Sequence, residues 1–149
     1  MRRIQRSKDK EQLIQLLVKG KNNLFKEIWQ LMIFAALIGW KDGTKSPLKE
    51  IDSGKGIDET VFSNNMAWPG LLNLLALVHD QGDVSTLSPT EEALNNKIKI
   101  FEEFANRGLE IIEDRLEASS FTHDAFLNFL TTETTNNTPA TVDWDNISI

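Results

Sequence analysis

The sequence predicts a mostly all-α, compact helical domain built around one buried central helix, and three observations predict it. An unbroken apolar run, Leu31 to Ile38, lies inside a segment of helix length. It falls well short of the ~20 residues that span a bilayer, so it reads as the buried part of a globular core. Ser88-Pro89-Thr90-Glu91 carries a helix-start signature: serine as cap, proline at the first helical position, and glutamate returning the capping bond. Behind it, Leu94, Ile98, Phe101, Ala105, Gly108, Ile112 and Leu116 recur at spacings of four and three, the helical period and close to that of a coiled coil.

The elements follow in order. Ser7 is placed to cap a first helix from about Lys8 to Lys19, with Leu13, Leu16 and Leu17 on its apolar side and Gly20 closing it in a left-handed turn. Asn22 or Asn23 then caps the central helix, about 24–38. Leu24, Phe25, Ile28 and Trp29 face inward at first, and from Leu31 the helix is apolar all round, which calls for cover on every side. Gly39 is its expected stop.

In residues 40–60 three glycines and a proline break any periodicity, and a small β-hairpin is expected near 47–58, with Pro47 to Ile51 facing Ile57 across Ser53-Gly54. Val61-Phe62 starts a short helical turn. Pro69 opens a helix to about His79 whose six large aliphatics imply burial on more than one side, and Gly82 closes it. The long helix spans about 89–118. Ala105 and Gly108 put small residues on its seam; glycine mid-helix costs ~1 kcal/mol, which a closely packed neighbour offsets, a mild kink being the alternative. A last helix covers about Thr122 to Thr131. The chain is thus expected to form a single helical domain over 1–131, with a basic N-terminal arm at 1–7. Residues 132–149, rich in Thr and Asn and ending in Val142, Trp144, Ile147 and Ile149 between aspartates, read as a disordered acidic-hydrophobic tail.

Net charge is −6, but it is polarised. Residues 1–55 hold twelve Lys/Arg against six Asp/Glu, and the remainder holds four against sixteen. Such a layout suits binding to DNA or to an acidic protein, or pairing of the two halves with each other. The absence of cysteine rules out disulfides and thiolate metal sites. MRRIQRSKDKEQ carries charge with no apolar stretch behind it, so a cytoplasmic location is expected, with no membrane span.

Catalytic patterns are missing. His79-Asp80 and His123-Asp124 lack the further histidines a metal-dependent phosphohydrolase needs, and read as helix-end charge pairing. Glu102, Glu103, Glu110, Glu113, Asp114 and Glu117 lie mainly off the long helix's seam and read as a solvated face. Ser53-Gly54-Lys55-Gly56 has no phosphate-loop spacing. No enzyme, metal or cofactor is expected. The candidate DNA-backbone contacts are Arg2, Arg3, Arg6, Lys8 and Lys10 on the arm and Lys41, Lys45, Lys49 and Lys55 in the loop. The candidate partner-binding residues are Trp40, Ala105, Gly108 and Trp144.

Three blocks carry a family resemblance. They are the run Phe25 to Leu48, with Phe34, Ala35, Ala36, Gly39, Trp40, Lys41, Lys45, Pro47 and Leu48; GIDETVFSNN, residues 56–65; and IFEEFANRGLEII, residues 100–112. In these the chain resembles the bacterial family of DNA phosphorothioation-associated protein 4, or dnd system-associated protein 4. Phe104 stands where that pattern has tyrosine and Arg107 where glycine is common. The resemblance covers about residues 6–118. It implies a setting in DNA-modification and anti-phage islands, beside restriction factors and SMC-like ATPases, and it carries no catalytic residues. The expectation is a non-catalytic interaction subunit of a DNA-modification or defence complex. Its partner would be a larger ATPase or nuclease subunit, with duplex DNA as a further contact. The alternative is a stand-alone DNA-binding module acting through the arm and the 41–55 loop.

Overall fold

The computed structural model describes residues 2–21, 23–117 and 123–135. Arg3–Ile4 forms strand β1, and a single 3-10 turn at Lys8–Lys10 leads into helix α1, Glu11–Lys19. Ser7 makes no side-chain cap there. It is buried, and its hydroxyl instead accepts from the Lys49 amide at 3.3 Å. Gly20 ends α1 in extended rather than left-handed conformation.

The central helix, α2, runs Ile28–Asp42. It starts later than the asparagine caps suggest, because Glu27 and Gln30 close a reciprocal capping box at its first turn. It also passes straight through Gly39 and stops at Gly43, whose φ of 81° is the left-handed conformation glycine tolerates. Gly39 has another use. A Cβ on it would stand 2.1 Å from the Phe104 carbonyl oxygen, and one on Gly108 would stand 1.8 Å from that of Ala35. The two helices therefore cross backbone to backbone, and the glycine pair allows it. The kink alternative at Gly108 gives way to close packing.

Strand β2, Ile57–Asp58, follows a short turn at Ser53–Lys55. The predicted hairpin is replaced by a different pairing. β2 is antiparallel to β1, with Arg3 opposite Asp58 and Ile4 opposite Ile57, and Ile51 bridges to Ser7. The N-terminal segment takes both halves of the expected hairpin because Ile4, almost wholly buried, anchors it in the core. Residues 2–7 are accordingly folded onto the domain rather than extended as an arm.

Helix α3 spans Glu59–Ser63 and α4 spans Trp68–His79, with Pro69 in its first turn. α4 buries Trp68, Leu72, Leu75 and Ala76, while Leu74 and Val78 stay exposed, so burial is one-sided. Phe62, Trp68 and Phe101 form an aromatic knot with centroids 4.7–5.8 Å apart, fixing α3 and α4 to the long helix.

That helix, α5, spans Glu91–Glu117. Its start lies two residues past the predicted one: Thr90, not Ser88, accepts the capping bond, from the Ala93 amide at 3.2 Å. The seam residues from Ile98 to Leu116 are buried as the spacing predicted. Helix α6 runs His123–Thr135, past the predicted end. The Thr131 and Thr132 hydroxyls donate to the carbonyls one turn back at 2.9 Å, which lets threonine continue a helix. Phe126 of α6 meets Phe25 and Phe34 at 5.9 and 5.5 Å.

The buried side chains of these elements form one cluster. α2 is not covered on every side, however: Leu37 and Trp40 are 40% and 39% exposed. Among the described residues no helix is long and apolar enough to cross a membrane. The acidic-hydrophobic end, Trp144 included, lies outside the described residues.

Candidate interaction surfaces

Three basic residues of the first third of the chain, Arg2, Lys10 and Lys45, pair with acids of α5, namely Glu102, Glu113 and Glu103. Glu102, one turn from Ile98 and Asn106, is only 4% exposed. It accepts from the Arg2 guanidinium and from the Gln5 backbone amide, each at 2.7 Å. Arg2 also donates to the Asn95 carbonyl at 2.7 Å. Burial pushes the Glu102 carboxyl above its ordinary value of 4.5, and the two hydrogen bonds and the Arg2 charge only partly counter it.

Two further clamps flank this one. Arg6, buried, pairs with Glu11 at 2.9 Å, and Lys55 approaches the same carboxylate at 3.5 Å. Burial would raise Glu11, but bonds from Arg6 and Gln15 and the nearby cations hold it below 4.5. Lys10, buried, is hydrogen-bonded to Glu113. Burial works to lower its ammonium, yet the Glu113 bond and the surrounding carboxylates win, and it lies above 10.5.

The loop after α2 is tied down in the same way. Lys45 pairs with Glu103 at 2.8 Å, and the Ser46 hydroxyl donates to Glu110 at 2.6 Å. Asn106 donates to the Ser46 and Pro47 carbonyls at 3.2 and 3.1 Å. Lys41 pairs with Glu133 of α6, and Lys8 with Glu50 at 3.0 Å on the surface. Arg107, at the position where the resembling pattern has glycine, binds Asp42 at 2.8 Å; that bond, with one from Thr44, holds the Asp42 carboxyl below 3.8.

Of the nine cations singled out for DNA, Arg2, Arg6, Lys8, Lys10, Lys41, Lys45 and Lys55 are thus engaged by the protein's own carboxylates. Arg3 and Lys49 are exposed and make no ion pair among the described residues; Arg3 donates to the Ser53 carbonyl at 3.4 Å, and its charge acts on Asp58 opposite it in the sheet. Glu102, Glu103, Glu110 and Glu113 are correspondingly not a solvated face, because the N-terminal segment and the loop cover them.

The small-residue stripe has a similar fate. Ala105 and Gly108 are buried against Ala35 and Gly39 of α2, so the neighbour they were read as awaiting is the chain's own central helix. Trp40 does reach the surface, one turn from Leu37. Leu74 and Val78, 52% and 47% exposed, form a second apolar pair at helical spacing on α4; the run of aliphatics hid them, because it gave no phase.

His79 meets Asp80 at 2.7 Å, and Asp80 also accepts from the Thr86 hydroxyl, so this pair stitches the turn after α4. Among the described residues no group of three or more histidines and carboxylates could hold a metal. An open groove of about 550 Å³ runs along α1, lined by Gln12, Leu13, Gln15, Leu16, Lys19, Gly20 and Glu113.

A family model described as DNA sulphur modification system-associated protein 4 matches residues 3–147. The match extends past the resembling blocks and takes in most of the C-terminal stretch. No curated protein and no solved structure matches the chain.

Proposed function

Because the chain belongs to the DNA sulphur modification system-associated protein 4 family, we propose that it is a non-catalytic subunit of a bacterial DNA-modification or anti-phage complex, docking on a larger ATPase or nuclease. The observation that carries this reading is the exposure of large apolar side chains in pairs at helical spacing, Leu37 with Trp40 on α2 and Leu74 with Val78 on α4. Water-facing pairs of this kind, on helices whose opposite sides are fully packed, suit a helix-sized neighbour. The ion pairs around α5 support it from the other direction, since they leave few cations in the N-terminal segment and loop for a polyanion.

Co-expression with the products of neighbouring genes, followed by affinity capture through this chain, tests the reading. A stoichiometric complex with one larger protein is expected. Trp40→Ala with Leu37→Ser, or Leu74→Ser with Val78→Ser, weakens it at least tenfold, about 1.4 kcal/mol. A monomer that captures none of those products rejects the proposal.

A further inference from the structure

The front-half cations that make no ion pair among the described residues are Arg3, Lys19, Lys21, Lys26 and Lys49, and three of these five fall within eight residues. Lys19 is the last residue of α1, and Lys21 and Lys26 lie in the connection to α2; all three are exposed. From Gln12 to Lys26 the sequence contains no acid. The next one, Glu27, has its carboxylate turned to the first turn of α2 as that helix's cap. Glu113, which borders the groove on α1 beside Lys19, is held by Lys10. In a protein of net charge −6 this is a local concentration of positive charge that no carboxylate of the described residues neutralises.

We propose that the α1–α2 turn is a nucleic-acid contact surface, in which Lys19, Lys21 and Lys26 meet the phosphate backbone of duplex DNA. Ammonium groups on flexible stems make point-charge contacts that position a duplex without reading its bases. No aromatic ring is free at the turn to stack on a base: Phe25, between Lys21 and Lys26, packs against Phe34 and Phe126 at 5.5 and 5.9 Å. The contact is therefore to phosphate, independent of sequence. The choice of DNA over an acidic protein segment rests on the DNA-system reading above, whereas the surface is separate from the apolar pairs assigned to the protein partner.

The test is fluorescence anisotropy of the full-length chain against a labelled 20-base-pair duplex of arbitrary sequence. Three phosphate contacts give a slope of log K against log salt of about −2.7, so affinity falls about 40-fold between 50 and 200 mM NaCl. The triple variant Lys19→Gln, Lys21→Gln, Lys26→Gln is expected to lose roughly tenfold or more at 50 mM and to flatten the slope. Lys99→Gln, which removes an exposed cation on α5, leaves binding unchanged. Thermal unfolding of each variant should match that of the unsubstituted chain, since these side chains are outside the core. Three results overturn the proposal: no duplex binding at 50 mM NaCl, equal binding by the triple variant, or equal loss from Lys99→Gln. So does loss of the co-expressed protein partner, with duplex binding intact, in the triple variant. The partner capture through Leu37, Trp40, Leu74 and Val78 is scored independently, so either conclusion can fail alone.

Discussion

Gly108→Ala exposes the central assumption about the fold to a direct test. In an exposed helix this change gains about 1 kcal/mol of helix propensity. Here the added Cβ would stand 1.8 Å from the Ala35 carbonyl oxygen and 2.5 Å from its carbon, both of them backbone. Ordinary contact begins near 3.4 Å, so α5 and α2 would have to part by roughly 1.6 Å, and no side chain can swing aside to prevent it. A gap of 0.5–1 Å already forfeits a quarter to a half of a contact's dispersion energy, and the whole crossing, with Leu31, Ala35, Ala105 and Ile112 buried along the two helices, would open together. The cost is comparable to a large core truncation, about 3–5 kcal/mol, which leaves a net loss of roughly 2–4 kcal/mol. In thermal unfolding followed by circular dichroism this is a fall in Tm of about 10 °C. Gly70→Ala is the matched control. Gly70 is helical, has ordinary backbone angles, and its Cβ would meet nothing within 4 Å, so that variant should gain about 0.5–1 kcal/mol. If Gly108→Ala melts at or above the unsubstituted chain, the helices do not cross backbone to backbone and the argument for Gly39 falls with it.

The ion pairs give further expectations. Arg2→Ala leaves Glu102 buried with only the Gln5 amide, at a cost of about 1–3 kcal/mol at neutral pH in urea unfolding. An acid raised in the folded state contributes stability that is fully present below its unfolded value and lost as pH rises through the folded one. The Arg2→Ala deficit should therefore shrink as pH falls through the raised folded value, which lies above 4.5; a deficit at pH 4 equal to that at neutral pH would contradict the assignment. Lys10→Ala should cost about 1 kcal/mol, less than Lys10 burial alone suggests because Glu113 stays partly hydrated. Lys10 lies above 10.5 in the fold, so its contribution is present below that value and disappears as pH rises through the raised one, an alkaline loss the variant lacks. Arg107→Ala should cost about 0.5–1 kcal/mol; Asp42 is depressed below 3.8, so the difference from the unsubstituted chain persists above 3.8 and closes as pH falls through the depressed value.

Local chemistry was legible where the signal sits within one turn of helix. The seam of α5 is buried at the positions its spacing marks, and Gly108 is where a neighbour comes close. Caps were harder, because several adjacent residues can each accept the same bond. Ser88 and Thr90 both fit the start of α5, and only the hydrogen bond to Ala93 decides for Thr90. Pairings across the chain were out of reach. Arg2 meets Glu102 and Lys10 meets Glu113 about one hundred residues apart, a separation that carries no period. The charge asymmetry was the one trace of them, and it fitted an external polyanion as well as an internal acid face. Lys19, Lys21 and Lys26 escaped selection for the complementary reason: a lysine is marked as available only once it is known which carboxylates the others have taken.

That internal face also explains how so short a sheet holds its register. β1 has two residues, and ladder bonds of that length specify little. A slip of one residue would turn Ile4 to water and drive Arg3 inward. Glu102 accepts from the residues on either side of the strand, the Arg2 guanidinium and the Gln5 amide, so the carboxylate can be satisfied only when Ile4 points at the core. An apolar residue at 102 would bury as well but would not tell one register from the next. The buried acid is best understood as a device for placement. The placement it secures keeps the basic N-terminus folded against α5 and leaves the α1–α2 turn as the positive surface.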